Sequence, residues 1–161
     1  MIHVLSIAHP RLVLKARAAR LLGALVAFFA AWLAFGLVPS AEASTCTFAS
    51  VGTATFSTAG NWQNCGGGAP TVGDTVIIPA ATSVTMTANA SFSILYASGT
   101  LRAAGFNLTV TSTALLGAGS VVTSTTGTLS FGGAVSSTGS IGTNSGSMLF
   151  SSTLQNNGTL D

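Results

Sequence analysis

A repeat of 19 or 20 residues runs through the C-terminal half of the 161-residue chain. Gly127-Thr128-Leu129-Ser130-Phe131 is followed 19 residues later by Gly146-Ser147-Met148-Leu149-Phe150, which has the same order of small, polar and apolar side chains. A second motif is a glycine, then Ser or Thr, then an aliphatic residue. It recurs at Gly99-Thr100-Leu101, Gly119-Ser120-Val121, Gly139-Ser140-Ile141 and Gly158-Thr159-Leu160. A period of this length, built from short alternating segments, is typical of a solenoid in which each coil is one repeat.

The repeat assigns four ladders of interior side chains, to which successive coils each contribute one residue. Because side chains alternate between the two faces of a strand, the residues between ladder positions are expected to face water. The glycine before each position of the fourth ladder is expected to turn a corner with a positive φ. The ladders are Leu108, Leu129 and Met148; Val110, Phe131 and Phe150; Leu115, Val135 and Leu154; and Leu101, Val121, Ile141 and Leu160. The outward residues include Thr109, Ser130, Thr123 and Thr143.

The repeat therefore predicts an all-β solenoid over residues 76–161, with about 19 or 20 residues in each coil. A two-sheet sandwich is an alternative, because it also has short alternating strands at regular intervals. However, a sandwich does not predict the same residue class at the same phase through four units. Disorder is disfavoured because the apolar residues are frequent and evenly placed.

The positive charges are concentrated at the N-terminus, where Arg11, Lys15, Arg17 and Arg20 precede an uncharged apolar run, 21–38. The run ends at Pro39, and Ala41-Glu42-Ala43 then has the small-x-small form that signal peptidase requires. We expect residues 1–43 to be a signal peptide, so that the protein is secreted or displayed at the cell surface. The membrane is then a partner only during export. A membrane anchor is the alternative, since the apolar run reaches the lower limit for spanning a bilayer.

Beyond residue 43 the charged side chains are Asp74, Arg102 and Asp161, which excludes a basic nucleic-acid-binding surface. The two cysteines of the chain, Cys46 and Cys65, lie in this part, and an even count in an exported protein predicts a disulfide. It would close a cap segment over residues 44–75, ahead of the coils. A metal or redox pair is the weaker alternative, because the spacing is too long for a Cys-x-x-Cys site and residues 44–161 contain no histidine.

Asp74 is the carboxylate closest to the predicted ordered structure, and a lone carboxylate cannot perform paired acid–base chemistry. We expect it to close a turn after Gly73 through its side chain. The sequence thus predicts no catalytic, cofactor-binding or metal-binding residue, and a protein that is not an enzyme and needs no cofactor. Trp62 and Tyr96 are the candidates for ligand contact, since aromatic rings can stack on sugars, although we expect Trp62 to be buried in the cap segment.

Several motifs follow one another over residues 60–125: Gly60-Asn61-Trp62, Gly67-Gly68-Ala69-Pro70, Gly73-Asp74-Thr75-Val76-Ile77-Ile78-Pro79 and Gly99-Thr100-Leu101. This order resembles the opening of secreted bacterial right-handed β-helix proteins of the adhesin or autotransporter-passenger kind, and it is similar to the extracellular module named for its eight glycines. The resemblance implies a right-handed parallel β-helix at the cell surface that serves in adhesion, in ligand binding or as a structural stalk. It transfers no active site, because a fold does not determine a function.

Two functions follow as expectations: a structural or adhesive surface module, or an extracellular carbohydrate-binding module that uses Trp62 and Tyr96. The expected partners are surface glycans or other copies of this chain. The repeat is still in phase at Leu160, and no cap is encoded after it. We therefore expect either that the natural chain continues into further coils, of which this would be the N-terminal part, or that the open last coil pairs with another molecule.

Overall fold

The computed structural model describes residues 42–161, which form one compact unit. The predicted signal peptide lies outside the described residues, except for Glu42 and Ala43. Within the described part, 53% of the residues are in strands, one short 3-10 helix spans Ala59–Asn61, and there is no α-helix. Among residues 42–161 the structure contains no helix with the length and hydropathy of a membrane span.

Fifteen strands follow one another along the chain. They are β1 (Thr45–Phe48), β2 (Gly52–Thr55), β3 (Trp62–Gln63), β4 (Thr75–Ile78), β5 (Thr82–Thr85), β6 (Ala90–Ala97), β7 (Thr100–Ala104), β8 (Leu108–Leu116), β9 (Val121–Ser124), β10 (Thr128–Phe131), β11 (Val135–Ser137), β12 (Ser140–Thr143), β13 (Ser147–Phe150), β14 (Leu154–Asn156) and β15 (Thr159–Leu160).

The strands stack in parallel from one coil to the next. One sheet has the order β13-β10-β8-β6-β4-β1-β3, and β11 lies between β8 and β14 on the same sheet. The other sheet has the order β15-β12-β9-β7-β5-β2. The short β3 is antiparallel to β1, and every other pairing in the described part is parallel. The predicted fold class is confirmed: the chain is a parallel β-solenoid of about five turns.

Two of the four predicted interior ladders are confirmed. Leu129 pairs with Leu108 in the preceding coil and Met148 in the next, and Phe131 pairs in the same way with Val110 and Phe150. The rings of Phe131 and Phe150 stack with centroids 5.2 Å apart. The outward residues Thr109, Ser130 and Thr123 are partly exposed, as predicted. Thr143 is partly exposed as well, although it pairs with the buried Ser124, and its hydroxyl donates to the Gly146 carbonyl at 3.3 Å.

Each of the other two predicted ladders contains one wrong residue, which is the neighbour of the residue that occupies the position. Val135 pairs with Ala114, and not with Leu115. Val122, and not Val121, lies between Leu101 and Ile141. Because successive side chains point to opposite faces of a strand, a shift of one residue moves a side chain from the core to the surface. Ala114 and Val122 are accordingly buried, whereas Leu115 is 42% exposed.

A longer turn after β8 causes this shift. Four residues separate Leu116 from Val121, whereas two residues separate the matching positions in the coils on either side. Gly119 lies in this longer turn and has a φ of 79°. Ser120, and not Gly119, therefore occupies the corner position that Gly99 and Gly139 occupy in the neighbouring coils.

The prediction that the corner glycines have a positive φ is wrong for Gly99, Gly139 and Gly158. These residues are needed because the preceding coil approaches too closely for a side chain. A Cβ at Gly99 would lie 2.7 Å from the Thr82 carbonyl oxygen, and a Cβ at Gly139 would lie 2.8 Å from that of Gly117. Glycine is thus required at these corners because the coils stack closely, and not because the backbone has an unusual conformation.

Candidate functional site

The cap segment is closed by the predicted disulfide between Cys46 and Cys65, whose Cα atoms are 4.5 Å apart. Cys46 lies in β1 and pairs with Val76 of β4, so the disulfide connects the first coil to the loop that follows β3. Both cysteines are buried. The disulfide therefore ties down the N-terminal end of the solenoid, and by loop entropy it is expected to stabilise the fold by about 3 kcal/mol.

Trp62 lies in the core of the cap. Its ring is 7% exposed and makes edge contacts with Phe48 and Phe56, with centroids 5.1 and 5.0 Å apart. Its indole Nε1 donates a hydrogen bond of 2.7 Å to the Phe56 carbonyl. The burial expected for Trp62 is confirmed, and its ring has no free face on which a sugar could stack. Of the two aromatic candidates for ligand contact, Tyr96 is the accessible one.

Asp74 closes the turn that precedes β4. Its Oδ2 accepts hydrogen bonds from the backbone nitrogen and the hydroxyl of Thr71, at 2.7 and 3.0 Å, while its own backbone nitrogen donates to the Thr71 carbonyl at 3.1 Å. Gly73 reaches this turn with a φ of 98°. These contacts confirm the predicted turn role. In addition, Oδ1 of Asp74 accepts a hydrogen bond of 2.7 Å from the backbone nitrogen of Ser44, which the sequence did not predict.

The residue Asp74 is 5% exposed, and the hydrogen bonds to its carboxylate favour the charged form. Burial raises the pKa of Asp74, but the hydrogen bonds from Ser44 and Thr71 outweigh burial and hold the pKa below its ordinary value. A carboxylate oxygen of Asp74 and the sulfurs of Cys46 and Cys65 lie within 4.8 Å of one another. Both sulfurs are in the disulfide, so they offer no thiolate to a metal ion.

Tyr96 lies in an apolar row on the outer surface. It pairs with Ile77 in the preceding coil and with Leu115 in the next, so the three side chains follow one another at the spacing of neighbouring strands, about 4.8 Å. Tyr96 is 39% and Leu115 42% exposed, and Ile77 is partly exposed. These three residues are named the apolar strip. Sequence reasoning missed Leu115 as a surface residue because it assigned this side chain to the interior.

A groove of about 380 Å³ lies on the other sheet, around Arg102. Arg102 is exposed in β7 and pairs with Thr85 and Thr123 in the adjacent coils. Thr125 and Asn144 also line this groove. Arg102 is the single lysine or arginine among residues 42–161, and Asp161 also lines the groove, so the groove holds one cationic and one anionic side chain.

No family model, no curated protein and no solved structure matches this chain. The resemblance to β-helix proteins is therefore supported only in the coarser sense that the chain forms a β-solenoid.

Proposed function

We propose that this chain is a non-enzymatic structural or adhesive module that works at the cell surface or after secretion. A leader-like N-terminus and a buried disulfide support export, since disulfides persist in oxidising compartments. The solenoid supports a structural role, because its stacked coils present side chains at regular spacing on each face.

The observation that carries the adhesive role is the apolar strip. It exposes Tyr96 and Leu115 side by side, on a scaffold whose outward positions are otherwise mostly Thr and Ser. Apolar area that is removed from water contributes about 25 cal/mol per Å². Tyrosine is common at interfaces because its ring is large and rigid and its hydroxyl can hydrogen-bond. The strip lies on paired strands, so little conformational entropy is lost when it binds a surface.

The absence of catalysis is part of this proposal. Asp74 is already bound by three donors, and Arg102 lies on the other sheet. General acid–base chemistry needs a second titratable group in reach of the same substrate atom. We expect no turnover of pectin, glycan or ester substrates above blank. Activity that disappears in Asp74→Asn would overturn this part of the proposal.

An adhesion assay tests the role of the strip. Beads that carry the exported protein are allowed to settle on alkyl-coated glass and on bare glass, and the fraction that resists a defined flow is counted. We expect retention on alkyl-coated glass to fall several-fold in the double variant Tyr96→Ser, Leu115→Ser. The matched control is Val51→Ser, Val72→Ser, since these side chains are 99% and 74% exposed and lie outside the strip. Equal retention of all three proteins would contradict an adhesive strip.

The second candidate is a carbohydrate-binding module, and the Arg102 groove is the observation that favours it. A guanidinium binds a carboxylate through two parallel hydrogen bonds, and threonine hydroxyls can bind sugar hydroxyls. We propose acidic glycans as the ligand class in this case. A glycan array that contains neutral and uronic-acid chains separates the two functions. Selective binding of acidic chains that is lost in Arg102→Gln would support this candidate, and an array without selective binding would exclude it.

A further inference from the structure

The contact between Ser44 and Asp74 lies at the expected export cleavage site. Signal peptidase is expected to cut between Ala43 and Ser44, so the Ser44 nitrogen is the atom that cleavage converts from an amide into an α-amino group. This nitrogen lies 2.7 Å from Oδ1 of Asp74. The Ser44 carbonyl is also fixed, because it accepts a hydrogen bond of 2.8 Å from the Thr75 nitrogen.

We propose that Asp74 is a binding site for the amino terminus of the processed chain. Removal of residues 1–43 places the α-ammonium group of Ser44 on a buried carboxylate and creates an ion pair that the precursor cannot form. This inference rests on the export and cleavage that belong to the proposed function. The ligand is a primary ammonium group supplied by the chain itself.

The charges around Asp74 support this assignment. In the uncleaved chain the buried carboxylate is held by neutral donors, from Ser44 and Thr71. The side chain of Glu42, two residues before Ser44, adds a second negative charge to the same segment. Cleavage removes Glu42 and adds a positive charge at hydrogen-bond distance from Oδ1. A hydrogen bond between two charged groups is shorter and stronger than one between neutral groups.

The contacts that position Asp74 and Ser44 are already present before cleavage. Asp74 is positioned by the turn to Thr71, and Ser44 is held in line by the pairing of Thr45 with Thr75 and by the disulfide at Cys46. Asp74 is the titratable group that the Ser44 nitrogen contacts, and the second oxygen of the same carboxylate is held by Thr71. Processing by the peptidase thus completes the cap, and the processed chain is the more stable form.

The new α-amino group can be modified selectively, because the one lysine of the chain, Lys15, lies in the predicted signal peptide. The processed protein then has a single primary amine, the α-amino group of Ser44. The full chain is exported and purified, and its amino terminus is determined by sequencing. The rate of acetylation by acetic anhydride is then measured by mass spectrometry over a range of pH. The midpoint of this profile gives the pKa of the α-amino group, independently of how accessible it is.

We expect the midpoint to lie about one unit above the ordinary α-amino value of about 7.7 to 8.0. In Asp74→Asn the midpoint should fall to the ordinary range or below. A second variant keeps Asp74 and inserts two glycines between Ala43 and Ser44, so that the new amino terminus lies away from the carboxylate. Its midpoint should also be ordinary, which keeps the test informative if Asp74→Asn folds poorly.

A pH profile of stability gives an independent readout. A raised α-amino pKa contributes stability that is present below pH of about 8 and is lost as the pH rises through the folded-state value. This loss should be present in the processed protein and absent in the glycine-insertion variant. An amino terminus at Ser44 with equal midpoints in all three proteins would overturn the ion pair but leave the cleavage intact. An amino terminus at another residue would overturn both.

Discussion

The side-chain oxygen of Ser120 is buried against Gly139 of the next coil and has no hydrogen-bond partner among residues 42–161. Ser120 occupies the corner position that is glycine in three other coils, at Gly99, Gly139 and Gly158. A buried hydroxyl without a partner costs about 1–3 kcal/mol. Ser120 is therefore a local weakness in the stack of coils.

The change Ser120→Ala should stabilise the protein by about 1 kcal/mol, because it removes the unpaired hydroxyl and keeps the Cβ. The measurement is the free energy of unfolding from urea titration. Ser137→Ala is the matched control, since this buried hydroxyl donates to the Gly139 carbonyl at 3.3 Å. The control should be neutral or destabilised. A loss of stability in Ser120→Ala would show that its hydroxyl has a partner, such as a bound water molecule.

Adjacent residues on β10 should respond very differently to a negative charge. Phe131 is 1% exposed within an interior ladder, whereas Ser130 lies on the outer face between two buried residues. Phe131→Asp buries an unpaired carboxylate and leaves a void, so it should destabilise by more than about 4 kcal/mol or prevent folding. Ser130→Asp should stay within about 0.5 kcal/mol. Thermal unfolding of both variants measures the difference, and similar losses would show that the register is wrong.

Asp74 should make the cap sensitive to acid. Since its pKa is lowered in the folded state, its contribution to stability is present above the unfolded-state value of about 3.9 and is lost as the pH falls through the folded-state value. The difference in unfolding free energy between the native protein and Asp74→Asn should be constant from pH 7 to about pH 5, and it should shrink in more acidic solution. Urea titrations at several pH values test this. A difference in unfolding free energy that does not change with pH would contradict this prediction. It would show that Asp74 stabilises the cap without its negative charge.

In protein that is produced as residues 44–161, the coil nearest Asp161 should promote association. Among the described strands, β13, β14 and β15 each pair with a neighbour on one side only, and Leu160 is 45% exposed at the end of an interior ladder. Unpaired strand edges next to an open apolar core favour pairing with another chain. We expect the mass measured by light scattering to rise with protein concentration, and to rise less in Leu160→Asp than in the outward-facing control Thr159→Asp. A monomer at all concentrations would contradict this prediction.

The sequence predicted the solenoid and half of its ladders because the 19-residue shift between β10 and β13 is uninterrupted. It could not fix the ladders at Leu115 and Val121, for a physical reason. Each of these residues is followed by a second aliphatic residue, Leu116 or Val122, so hydrophobicity alone allows either phase of the strand. Gly119, the extra glycine in the longer turn, fits the same motif as the corner glycines. The motif therefore gives no sign that this turn is two residues longer.

The features of the candidate surfaces that depend on local sequence were predicted, and those that depend on the strand register were not. The burial of Trp62 and the turn at Asp74 depend on local sequence, and both were expected. The apolar strip depends on which face of β8 carries Leu115, so the error in register concealed it. The contact between Ser44 and Asp74 joins residues that are 30 positions apart, and it requires the parallel pairing of β1 with β4. Sequence spacing contains no signal for such a contact.

Methyl NOE spectroscopy tests the solenoid and its register most directly. Neighbouring strands lie about 4.8 Å apart, so methyl groups in one ladder are within reach of the nuclear Overhauser effect. We predict strong cross-peaks from Val122 to both Leu101 and Ile141, which lie one coil away on either side. Cross-peaks from Val121 to both of these residues would contradict the register. A spectrum without contacts between residues one coil apart would contradict the solenoid itself.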